Sequence, residues 1–282
     1  MAGSSNWRKR SFPTAVVPAV AAGLVLASVA VGGAASATTP TVTVERARPT
    51  IVLEHGAFAD GSSWSAVITR LRADGYPVIA PANPLRGPAA DAAALRSVLG
   101  SVKGPKILVG HSYGGSVISA AGANDPEVKA LVYVAAFLPA PGETALELTN
   151  KFPGSTLPDA LNPVTYTPAG GTATTDLYIR TDKFRHQFAA DVPAAQAAVM
   201  AAAQRPIAQS ALAEQATTAA WQEKPSWDIV TTQDLNIPAA AQLFMARRAH
   251  SHITEVAASH SVAVSHPALV TQVVEEAAKA GR

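Results

Sequence analysis

Residues 110–115 read Gly-His-Ser-Tyr-Gly-Gly, a G-x-S-x-G arrangement between the apolar run Lys106 to Val109 and the helix-compatible Ser116-Val117-Ile118-Ser119-Ala120. A serine at such a strand-to-helix turn is held at the tip, and the helix N-terminus beneath it favours developing negative charge. The pattern predicts Ser112 as a nucleophile. A serine at its ordinary pKa is a weak nucleophile, so a base and an orienting acid are required, together with two donors for the oxyanion formed on attack. The backbone N–H of Tyr113 is one such donor. The other is expected in His55-Gly56-Ala57-Phe58, a loop after an earlier strand, from Ala57 or Phe58.

Chemistry on an open α/β sheet gathers at the carboxyl ends of the strands, which sorts the remaining candidates by position. Asp234 follows the expected strand Trp227 to Thr232, whereas Asp228 begins it and Asp125 precedes another strand. Asp60 and Asp91 stand near helix starts, where capping is the simpler role. Asp234 also fits a turn ahead of a helix at Pro238. Among the seven histidines, His111 is adjacent to Ser112 in a tight turn, His55 belongs to the donor loop, and His186 falls in a loop-rich region. His250 and His252 form an H-x-H pair without a third ligand nearby, so no metal site is expected. Two Ser-His pairs remain. Ser259-His260 lies beyond the carboxyl end of the expected strand His252 to Val256, within reach of Ser112; Ser265-His266 precedes Pro267 and reads as the cap of the last helix.

These residues need a scaffold, and the chain offers an alternation of short apolar strands and helices. Strands are expected at Thr50 to Glu54, Tyr76 to Ala80, Lys106 to Val109, Val128 to Val134, Trp227 to Thr232 and His252 to Val256. Helices are expected from Trp64 to Gly75, about Ala89 to Val102, after Gly114, about Pro238 to Arg248 and about Pro267 to Ala280. Apolar strands joined by helical crossovers make a mostly parallel sheet covered on both faces, an α/β fold. From about Phe137 to Pro225 the rhythm breaks into loops and Ala-rich helices, including Ala194 to Gln204 and Ser210 to Trp221, and is expected to be a helical insertion.

Ahead of this domain, Arg8, Lys9 and Arg10 precede an apolar run from Ala15 to Val31 and the small residues Ala35-Ser36-Ala37. That order predicts an export leader at 1–37, cleaved after Ala37, then a linker at 38–49 and a domain at 50–282; Lys9-Arg10-Ser11-Phe12 resembles a weakened twin-arginine signal. An uncleaved membrane anchor is the alternative. Without the leader's three basic residues the 22 Lys and Arg fall to 19 against 20 Asp and Glu, so the mature chain is near neutral and no basic surface for nucleic acid is expected. Cysteine is absent, so there are no disulfides and no thiolate metal sites.

His55-Gly56-Ala57 with Trp64, the stretch Gly110 to Gly115 and Ala258-Ser259-His260 resemble the branch of the α/β-hydrolase fold family that contains plant methyl esterases and hydroxynitrile lyases. The resemblance spans about residues 50 to 280, with a helical cap at about 137–225. It implies a triad in the order Ser112, Asp234, His260, and Ala57 rather than Phe58 as the second oxyanion donor. A pocket is expected near Phe58, Trp64, Phe137 and Leu138, with His186 either lining it or exposed. Lyases of the branch typically have Thr where this chain has Gly56 and Lys where it has Ser261, which favours ester hydrolysis; a dehalogenase would need Asp in place of Ser112. The expectation is an exported serine esterase for small-molecule esters, without cofactor, nucleic-acid partner or stable membrane association. A lyase-like enzyme and a hydrolase-like binding protein with little turnover are the alternatives.

Overall fold

The computed structural model describes residues 48–281. The leader expected at 1–37 and most of the expected linker lie outside them. The described chain begins with β1 (Thr50–Glu54), α1 (Ser65–Ala73), β2 (Val78–Ile79), α2 (Pro88–Ser101), β3 (Lys106–His111), α3 (Gly114–Ala121) and β4 (Val128–Val134). An insertion follows with α4 (Ala145–Asn150), α5 (Leu157–Ala160), β5 (Leu161–Tyr166), β6 (Thr174–Ile179), α6 (Thr181–Phe188), α7 (Ala194–Ala203), β7 (Ile207–Ala208) and α8 (Gln209–Ala213). The alternation resumes with β8 (Ser226–Thr231), α9 (Ala239–Arg248), β9 (His252–Val256), α10 (Val262–Ser265) and α11 (Pro267–Ala280).

Six strands form one sheet in the order β2-β1-β3-β4-β8-β9, with every neighbouring pair parallel. Its central strands are buried on both faces. Val52, Leu108, Leu131 and Tyr133 join one apolar cluster, while Ile51, Leu53, Ile107, Val109, Val132 and Val134 join the other. This two-sided burial explains why the strands are near-continuous apolar runs rather than alternating ones. The parallel arrangement also brings the carboxyl ends of β1, β3, β8 and β9 to one edge.

The insertion corrects two expectations. It is not purely helical, because β5, β6 and β7 form a three-stranded antiparallel sheet. Edge strand β5 is exposed over most of its length and carries Pro163, which an edge tolerates, so it lacks the apolar signature of a core strand. The helix expected from Ser210 to Trp221 is confined to Gln209–Ala213. Beyond it Ala216 exchanges backbone hydrogen bonds with Gly142 and Glu143, at 2.8 and 2.9 Å, and Glu214 accepts from the N–H of Ala89 at 2.8 Å. These tertiary bonds override the helix propensity of an Ala-rich segment.

Asp228, in register between Tyr133 and Ile253, is wholly buried, and neither carboxylate oxygen has a hydrogen-bond partner among the described residues. Tyr133 does not satisfy it, since that hydroxyl is 2.7 Å from Ser119 Oγ. Burial raises the Asp228 carboxyl well above its ordinary 3.8. As pH rises past that value the unfolded chain releases the proton while the folded chain keeps it, so stability falls with pH until the raised pKa is passed. Asp228→Val is expected to stabilise the fold by about 1–3 kcal/mol at neutral pH. Thermal melts at pH 5 and pH 8 should show a larger gain over the parent at the higher pH.

Candidate active site

β3 ends at His111 and α3 begins at Gly114, so the chain turns through Ser112 and Tyr113. Ser112 has φ 55°, a left-handed conformation that costs an L-residue roughly 1–2 kcal/mol. Backbone bonds from three directions hold it there. The Ser112 N–H donates to the Val134 carbonyl at 3.2 Å, and its own carbonyl accepts from the N–H of Gly115 at 3.0 Å and of Phe137 at 3.1 Å. The turn presses against the loop after β1. A Cβ on Gly56 would lie 2.7 Å from the Ser112 Cβ and 2.8 Å from the His111 carbonyl oxygen, so a side chain at position 56 would displace the serine.

Asp234 sits in the turn after β8, and five donors converge on it. Its Oδ1 accepts from the N–H groups of Asn236 (2.7 Å) and Ile237 (3.0 Å); its Oδ2 accepts from Thr231 Oγ1 (2.9 Å), Gln242 Nε2 (3.0 Å) and His260 Nδ1 (2.6 Å). The last bond places a proton on Nδ1 and directs the Nε2 lone pair away from Asp234. His260 is fully buried, and its Nε2 has no partner among the described residues. Ser112 and His260 line the same cavity. Such a nitrogen can take a proton from a hydroxyl, and these contacts commonly tighten only when substrate is bound.

The loop carrying His260 is tied down on both sides. Ser259 donates its hydroxyl to Asp191 Oδ1 and its N–H to Asp191 Oδ2 at 3.2 Å, while Ser261 donates its hydroxyl to the Phe188 carbonyl at 2.8 Å. His266 stands at the N-cap position of α11 but makes no capping bond. Its Nδ1 instead lies 2.9 Å from Ser265 Oγ and 3.7 Å from Asp191. Of the two Ser-His pairs, only the first reaches Asp234.

The donor loop is fixed by His55. Asn83 donates its N–H to His55 Nε2 at 3.0 Å, so Nδ1 carries the proton and donates to the Gly56 carbonyl at 2.9 Å. Phe58 donates its N–H to the Arg205 carbonyl at 2.9 Å. The N–H groups of Ala57 and Tyr113 donate to no acceptor among the described residues, and both residues line the cavity. Tyr113 is anchored by its hydroxyl, which donates to Asp91 Oδ2 at 2.7 Å. Asp91 also accepts from the N–H groups of Arg86 and Gly87 at the start of α2.

The cavity has a volume of about 70 Å³ and is mostly apolar. The insertion roofs it with Phe137, Ala145, Leu146, Leu157, Leu161 and Leu212. Phe58 and Phe137 line it, but Trp64, Leu138 and His186 do not. Trp64 lies in the core with its ring edge-on to His111, 6.3 Å away, and Leu138 is buried with its N–H directed at the Met245 sulfur. His186 is exposed because α6 turns Phe184, Gln187 and Phe188 inward.

Several contributors are not singled out by sequence reasoning. His111 donates from Nε2 to the His260 carbonyl at 2.9 Å, with the rings 4.7 Å apart. Burial, then the neighbouring His260, push it down to about 3, so it serves as a neutral brace. Its place beside Ser112 is the signal that could have found it. Gln242 and Phe188, whose ring meets that of His260 at 5.0 Å, carry no local signal.

A profile of the alpha/beta hydrolase family matches residues 51–273. Among characterised relatives, the carbendazim hydrolyzing esterase of Nocardioides sp. (strain SG-4G) is 35% identical over 115 residues, covering 36% of this chain and 47% of that protein. The pyrethroid hydrolase of Sphingobium wenxiniae (strain DSM 21828 / CGMCC 1.7748 / JZ-1) is 33% identical over 164 residues, covering 51% and 55%. The chain thus spans about half the length of the curated relatives it matches. The crystal structure of a pyrethroid hydrolase from Sphingobium faniae JZ-2 superposes with a TM-score of 0.66 at 25% identity, over 82% of this chain and 98% of the other.

The close approach of Gly56 to Ser112 yields a direct test. Gly56→Ala is expected to lower kcat on any substrate attacked by Ser112 on the order of 100-fold, because a displacement near 1 Å at the reacting atom costs about that much. Steady-state kinetics beside a thermal melt would check it; a variant as active as the parent would show that the loop yields without moving the serine.

Proposed function

The chain belongs to the alpha/beta hydrolase family, and we propose that it is a serine esterase that cleaves carboxylic esters of small molecules. One observation carries this reading: the cavity that holds Ser112 also holds a buried histidine whose Nδ1 is bonded to Asp234 at 2.6 Å and whose Nε2 is free to accept. The named relatives, an esterase and a pyrethroid hydrolase, support the same chemistry.

In the proposed reaction Ser112 Oγ attacks the ester carbonyl while His260 Nε2 takes its proton, and Asp234 holds the imidazole in the required tautomer. The N–H groups of Ala57 and Tyr113 stabilise the oxyanion. His260 then gives the proton to the departing alcohol, leaving an acyl-Ser112, and water activated by the same histidine releases the acid. Only water is needed as a co-reactant. With residues 1–37 as an export leader, the enzyme would act outside the cytoplasm.

The lyase alternative is the weaker one here. It asks for a threonine at position 56, where a Cβ would meet Ser112 at 2.7 Å, and for a lysine at 261, where a buried serine donates to the Phe188 carbonyl. A cavity of about 70 Å³ also lies below the roughly 300–1,000 Å³ common for drug-sized ligands, which favours short acyl and alcohol groups.

The purified protein is expected to turn over p-nitrophenyl acetate and butanoate, with kcat/KM falling for decanoate. Ser112→Ala and His260→Ala should each reduce kcat by about 1,000-fold or more, whereas His266→Ala should act mainly on thermal stability. Equal turnover by parent and Ser112→Ala would refute the mechanism, and tight ester binding without turnover would favour a binding protein.

A further inference from the structure

Asn236 stands two residues beyond Asp234 and lines the cavity with Ser112 and His260. It is 3% exposed, and its Nδ2 has no acceptor among the described residues. The orientation of its amide is set by a chain of neighbours. Leu235 presents a carbonyl, which only a donor can meet, so Gln187 turns its Nε2 toward it at 2.7 Å. Gln187 Oε1 then accepts from Thr156 Oγ1 at 2.8 Å. The same Nε2 donates to Asn236 Oδ1 at 2.8 Å. Turning the Asn236 amide over would set NH₂ against NH₂, so Nδ2 is the group left without a partner.

A buried donor without an acceptor is destabilising, and Asn236 lines a cavity that is otherwise mostly apolar. We propose that Asn236 is a specificity-determining residue, donating from Nδ2 to a second oxygen of the substrate, an ether, carbonyl or hydroxyl remote from the scissile ester. The preferred substrates are accordingly short esters with an added acceptor in the acyl or the alcohol part, and plain alkyl esters leave the donor stranded. This rests on the esterase reading and refines it.

Two isosteric pairs test the proposal. On the acyl side, p-nitrophenyl 3-methoxypropanoate is compared with p-nitrophenyl pentanoate; on the alcohol side, 2-methoxyethyl butanoate is compared with butyl butanoate. The ratio of kcat/KM within a pair, corrected for the uncatalysed rates, is the readout, since it is insensitive to the fraction of active protein. The parent should favour the ether in one pair on the order of 10-fold, as expected when one neutral hydrogen bond relieves a stranded donor, and the pair that responds identifies the side of the ester. In Asn236→Leu that ratio should fall to about 1 or below. Asn236→Asp keeps an oxygen for Gln187, withdraws the amide donor and should lose the preference too, which covers the case in which the leucine variant folds poorly. Ratios near 1 in both pairs for the parent, or a preference that survives in the variants, would overturn the inference while the esterase reading stands. Absence of Ser112-dependent turnover of every ester would overturn both.

Discussion

The 2.6 Å bond between His260 Nδ1 and Asp234 Oδ2 is the contact on which the site depends, and it exists because two neighbouring parallel strands end side by side. β8 delivers the acid in the turn that follows it, and β9 delivers the histidine in the loop beyond. The acid is further restrained by turn donors on Oδ1 and by Thr231 and Gln242 on Oδ2, which hold that oxygen within reach of the histidine.

Around that contact, polar order is nested inside apolar packing. The sheet separates two buried clusters, and polar groups at its carboxyl edge bond to backbone and to one another. His55 fixes the Gly56 peptide, Asp91 fixes Tyr113, and His111 fixes the His260 carbonyl. Each places a backbone or ring group by engaging its other end, which is how a site keeps its geometry when its reacting atoms are unbonded. Asp228 is an exception, a buried acid with no partner among the described residues and no position at the site.

Local pattern carried much of this. β1, β4, β9 and α11 occupy the residues expected of them: β1 and β4, buried on both faces, leave a near-continuous apolar record, Pro267 opens α11, and β9 is legible although it is an exposed edge strand. Placement of Ser112 and Asp234 beyond the buried strands β3 and β8 was legible for the same reason, and that of His260 from its position after β9. What escaped was set by distant partners. Exposed β5, with a proline inside, carries no core-strand signature, and the stretch after Ala213 is held extended by Gly142 and Glu143 rather than by its own composition. The orientation of Asn236 needs Gln187 and Thr156 at once, a relation between three separate segments that no window of sequence contains.

The anchoring of the His260 loop links the roof to the chemistry. Ser259 and Ser261, either side of the histidine, hold Asp191 and the Phe188 carbonyl, which belong to the insertion. Roof and His260 therefore form one mechanical unit: whatever lifts the segment from 188 to 191 also pulls on the histidine. Evolution or engineering cannot exchange the roof of this protein as a separate part, because a new roof must bring its own grips for these two serines.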